Sequence, residues 1–87
     1  MKTYGVSITV TYTETTDTGT ITKQTNYNFH VDTANNASDL ISQTAKNAKE
    51  MNATVSEVKV TEEDQYSYET PYRNLSDTEI LELLLTK

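Results

Sequence analysis

The feature that most constrains this chain is a strict alternation near its start. Positions 4, 6, 8, 10 and 12 are Tyr, Val, Ile, Val and Tyr, with Gly5, Ser7, Thr9 and Thr11 between them. Successive side chains of a strand point to opposite faces, so this pattern predicts a strand with one buried and one wet side. After Asp17-Thr18-Gly19, a turn sequence, the alternation resumes on odd numbers with Ile21, Tyr27, Phe29 and Val31. The two runs predict a long β-hairpin over residues 3–32. For both apolar sets to share a face, even positions must oppose odd ones, and one such register sets Val6 against Phe29 and Ile8 against Tyr27. The tip, around Tyr12, Glu14, Lys23 and Thr25, is then polar on both faces and projects from the body.

Beyond the hairpin the period changes. Ala37, Leu40, Ile41, Thr44, Ala45, Ala48 and Met51 recur at three-to-four spacing, the apolar stripe of a helix over about 36–51. Asn35 or Asn36 is the expected N-cap, Asp39 falls in the first turn, and Asn52 suits a left-handed helix end. Val55, Val58 and Val60 then mark a strand over about 54–61. Residues 62–74, polar and tyrosine-bearing with Pro71, read as a connection. Ser76-Asp-Thr-Glu79 is a capping box, with Leu75 and Ile80 at the staple positions, opening a C-terminal helix over 76–87.

The expected architecture is one α+β domain over 1–87, in the order β-β-α-β-α. A right-handed crossover through the helix gives a three-stranded antiparallel sheet of order 2-1-3. One helix packs on one face; the other face is threonine, serine, asparagine and charge. The threonines need no ligand to explain them. An ice-binding array needs a flat repeat, and a carbohydrate platform needs aromatics among the polar residues. β-branched threonine suits a half-exposed pleated surface, where cross-strand pairs add about 0.2–1 kcal/mol each.

Function is narrowed mainly by exclusion. With 87 residues and no cysteine, the small core has neither disulfides nor thiolate-bound metal to support it. No stretch is apolar enough for a signal peptide or a membrane span, so a cytoplasmic protein is the expectation. Residues 1–56 carry five acids and four bases, whereas residues 57–87 carry eight acids against Lys59, Arg73 and Lys87. A chain of net charge −6 with a single arginine is poorly suited to neutralising phosphates, so direct nucleic-acid binding is not expected. His30, the one histidine, shares the polar face with Asn28 and Asp32 but has no serine or cysteine nucleophile motif beside it. Glu62, Glu63 and Asp64 lack the glycine turn of a calcium loop. Neither a catalytic site nor a cofactor is expected.

Two interaction surfaces remain. In the first, Glu62, Glu63, Asp64, Tyr66, Tyr68, Glu69 and Tyr72 interleave acids with tyrosines, which offer rigid contact area with a polar tip. Such a segment suits a protein partner with a basic surface, and implies a small binding module that inhibits or modulates it; that surface could be one that itself binds nucleic acid. The second is the C-terminal helix. Ile80, Leu81, Leu83, Leu84 and Leu85 cover more than one side of a helix too short to be stable alone. If Ile80 and Leu84 face the sheet, Leu81 and Leu85 (or Leu83) still need cover, unless the helix caps the open end of the core and buries all five. A homodimer through Ile80, Leu81, Leu84 and Leu85, within a self-assembling structural subunit, is the alternative reading.

Overall fold

The computed structural model describes residues 2–64 and 72–85. It is an α+β fold with an antiparallel sheet and two helices. Strand β1 (Lys2–Thr16) and strand β2 (Gly19–Val31) form the hairpin, and helix α1 (Ala34–Glu50) follows. Strand β3 (Thr54–Asp64), strand β4 (Tyr72–Asn74) and helix α2 (Asp77–Leu85) complete it.

The hairpin register is the one that parity demands, with Val6 opposite Phe29 and Ile8 opposite Tyr27. Its turn is Asp17-Thr18, closed by Thr16 opposite Gly19, whose φ of 133° is a conformation that a β-carbon would strain. Thr16 Oγ1 donates to Gly19 O at 3.0 Å. β3 begins opposite Thr11, so beyond that residue β1 is paired with β2 alone among the described strands. The molecule is accordingly long, 55 Å in its greatest extent.

The sheet has four strands in the order β2-β1-β3-β4, not the three expected. The added strand lies inside the segment read as a connection. Three residues are too few to display an alternation, and β4 is defined by its neighbour. Thr61 Oγ1 donates to Asn74 Oδ1 at 3.0 Å, and Leu75 N donates to Val60 O at 2.9 Å. β3 itself runs three residues beyond the expected end, through Glu62, Glu63 and Asp64.

β3 also contains a bulge. Thr9 opposes Glu57 while Val10 opposes Val55, leaving Ser56 as the extra residue. Its hydroxyl donates to Thr9 O at 3.3 Å and accepts from Thr11 Oγ1 at 2.8 Å. The bulge resolves a parity conflict in the sequence: it lets Val55, Val58 and Val60 all pack toward the core.

α1 starts earlier than expected. Thr33, not Asn35 or Asn36, is the N-cap; its backbone is extended and its Oγ1 accepts from Asn36 N at 3.1 Å. Asp39 therefore lies beyond the first turn. At the other end Asn52 has φ 59°, the left-handed conformation its type favours. The buried side of α1 is Ala37, Ser38, Ile41 and Ala48. Ala45 and Met51 of the expected stripe are exposed, and Ser38 takes a core position instead. Among the described residues, Ser38 Oγ is the buried side-chain polar atom without a hydrogen-bond partner. The core consists of Tyr4, Val6, Ile8 and Val10 from β1, the α1 side, Val60 and Ile80.

On the opposite face the threonine hydroxyls bond across strands. Asn26 Nδ2 donates to Ser7 Oγ at 2.9 Å and Thr9 Oγ1 at 3.0 Å, and Gln24 Nε2 donates to Thr11 Oγ1 at 3.3 Å. The comb is a solvated lattice that ties the hairpin together. The two faces therefore predict different sensitivities to urea unfolding. Ile8→Ala, at a fully buried site, is expected to cost about 2–5 kcal/mol. Thr22→Ala, on the exposed comb, is expected to cost no more than about 0.5 kcal/mol.

Candidate interaction surfaces

The acidic segment is not one patch. Because Glu62 and Glu63 are successive strand residues, they point to opposite faces of the sheet. Glu62, on the α1 side, receives Lys2 Nζ at 3.3 Å and the Arg73 guanidinium at 3.6 Å. Arg73 Nη1 also donates to Glu79 Oε2 at 2.7 Å, so the chain's one arginine links β3, β4 and α2. This pairing holds the Glu79 carboxyl below the ordinary range and raises Arg73.

Glu79 has a second task. Its Oε1 accepts from Ser76 N at 3.1 Å while Ser76 Oγ accepts from Glu79 N at 3.2 Å, the reciprocal capping box. One carboxylate thus caps α2 and anchors β4.

Glu63, on the wet face, meets His30 across the width of β1. His30 Nε2 lies 2.9 Å from Glu63 Oε2, and Thr3 Oγ1 donates to the same oxygen at 3.2 Å. The carboxylate partner of His30 is therefore a residue of β3, not Asp32, which lies just past the end of β2. The trio sits on an open sheet surface, and its evident effect is to bind β2 to β3 across β1. Asp64 is opposite Lys2 and half-buried. Tyr72 is 70% exposed. Tyr66, Tyr68 and Glu69 lie outside the described residues.

The leucine helix is divided differently. Ile80 is 8% exposed and belongs to the core, and Leu83 and Leu84 pack partly against it. Leu81 and Leu85 are 55% and 72% exposed. They are one helical turn apart and so form a single apolar ridge.

A third surface escaped the sequence reading. Tyr27 and Phe29 of β2 face the α1 side, yet they are 46% and 38% exposed, with their rings stacked at 6.4 Å between centroids. Between them and Ala48 of α1 and its C-cap Met51 runs an open groove of about 600 Å³, also lined by Val10. The sequence did contain a signal. A helix is about 10 Å wide and strands lie about 4.8 Å apart, so one helix covers about two strands. α1 sits chiefly over β1 and β3, which leaves the edge strand bare.

Among the described residues no three His, Asp or Glu side chains cluster as a metal site, and no helix is long and apolar enough to cross a membrane.

The His30 contact predicts a measurable titration. The hydrogen bond from His30, then that from Thr3, holds the Glu63 carboxyl below its ordinary value of 4.5. A carboxyl depressed in the folded state stabilises the fold above its unfolded value, and that contribution is lost as pH falls through the folded value. In a carbon-13 titration of the carboxyl groups, Glu63 is expected to titrate below 4.5 and to move upward in His30→Ala. An unchanged Glu63 midpoint in the variant would show that the contact does not form in solution.

No family model matches the chain, and neither a curated protein nor a solved structure shows significant similarity to it.

Proposed function

We propose that this chain is a non-enzymatic structural subunit that works by protein association and assembles with itself through α2. The observation that carries the reading is the ridge of Leu81 and Leu85, which the protein's own core leaves open while it takes up Ile80. Complete burial of a leucine is worth about 1.5–3 kcal/mol, so covering two per chain is a substantial driving force. A helix ridge packed on its own copy about a two-fold axis is the simplest closed arrangement.

The acidic segment supplies a second reading, a module that binds and modulates a partner with a basic surface. It is favoured by the exposure of Tyr72 within a C-terminal third of net charge −5. It is weakened because Glu62 and Glu63 diverge to opposite faces and already engage Lys2, Arg73 and His30. Self-assembly asks less of the geometry.

Leu81 is not part of the core, so Leu81→Glu is expected to remain folded by circular dichroism, its unfolding midpoint falling only by the stabilisation that assembly through α2 supplies. Light scattering should show a lower molar mass for Leu81→Glu than for the unaltered protein at equal concentration. Equal masses for the two would contradict assembly through α2.

A further inference from the structure

β2 is the outermost strand, and among the described residues no strand pairs with its free side. Edge strands in soluble proteins are usually guarded by short length, proline, a bulge or an inward-pointing lysine. β2 is thirteen residues long, contains no proline and pairs with β1 without a register break. Its one lysine, Lys23, lies near the tip and is held by Glu14. Residues 24–31, QTNYNFHV, therefore offer an unguarded backbone edge beside two uncovered aromatic rings.

We propose that a second copy of this chain pairs with that edge, β2 against β2, antiparallel about a two-fold axis at Asn28. Three observations favour a copy of the same chain. The first is register. Centring on Asn28 keeps odd residues opposite odd ones, so both aromatic sides fall on one face of a continuous sheet. Tyr27 then meets Phe29 of the other copy twice over, Thr25 meets Val31, and four rings form one cluster.

The second is charge. β2 has neither Asp nor Glu, although the chain carries a net charge of −6 and every other element longer than three residues has an acid. Two such edges approach without opposing carboxylates. The third is area. Rings of about 150–250 Å² each, roughly two-fifths exposed, together supply on the order of 300 Å². The paired backbones and the side chains of Gln24, Asn26 and His30 must supply the rest of the roughly 1,200 Å² that a stable contact needs. The association is accordingly concentration-dependent.

This contact does not rest on the α2 reading, because β2 and α2 present different residues. Where both operate, two different two-fold contacts on one chain link copies into a larger array.

The chain has no cysteine, so a single one reports its own twin. Directly opposed antiparallel residues have α-carbons about 4.5–5.5 Å apart, inside the disulfide range of about 4.4–6.8 Å. Asn28 is exposed on the wet face, so Asn28→Cys leaves the core intact. Mild oxidation of Asn28→Cys in the Leu81→Glu background should give a disulfide dimer at least about tenfold faster than Thr20→Cys, whose twin is about 16 residues out of step, about 50 Å away. Adding Phe29→Glu should reduce the Asn28→Cys rate to that of the Thr20→Cys control. Circular dichroism of each reduced variant checks that it is folded. Equal rates at positions 28 and 20, or a rate at 28 insensitive to Phe29→Glu in a folded variant, would overturn the proposal. Failure of the Leu81→Glu mass test with a fast Asn28→Cys dimer would remove the α2 contact alone.

Discussion

One helix lying on a sheet four strands wide can cover only part of it, and most features of this molecule follow from where α1 lies. It packs over β1 and β3, where Ala37 and Ile41 meet Val6, Ile8 and Val60 to make a core of few residues. Alanine in the contact lets helix and sheet approach closely. Chain connectivity supports the same placement, since α1 is the crossover from β2 to β3 with β1 between them. The cost is apolar surface left at both margins. Tyr27 and Phe29 stand open on one side, and Leu81 and Leu85 on the side that α2 occupies.

Polar side chains do most of the tying elsewhere. Arg73 joins Glu62 to Glu79, and Glu79 caps α2, so the short β4 and the last helix are held by one set of charges. On the wet face His30, Thr3 and Glu63 link β2 to β3 across β1, while Asn26 and Gln24 hold the hairpin through threonine and serine hydroxyls. Exposed pairs of this kind each contribute little. Their arrangement still has a consequence for function, because it uses the acids that composition alone assigns to a partner.

What was legible in the sequence is what local rules determine. Alternation placed β1 in the centre, parity set Val6 against Phe29, and Ser76 and Glu79 announced α2. What was not legible depended on neighbours. β4 is strand only because β3 pairs with it. Thr33 takes the cap in place of Asn35 and Asn36 because its own backbone is extended and its hydroxyl reaches Asn36 N, while Asn35 and Asn36 already lie inside the helix. Val55 and Val58 have opposite parity, and only a bulge at Ser56 reconciles them. The acidic run read as a patch because composition ignores that successive strand residues face apart. The bare aromatic edge follows from widths of helix and sheet, which no single residue states.

The central claim is that this fold leaves apolar surface that a second copy covers. Sedimentation equilibrium of the unaltered protein over a wide range of concentration tests it most directly. The account predicts a weight-average mass that climbs above the 9.8 kDa of one chain as concentration rises. A mass that stays at 9.8 kDa up to millimolar concentration would contradict it.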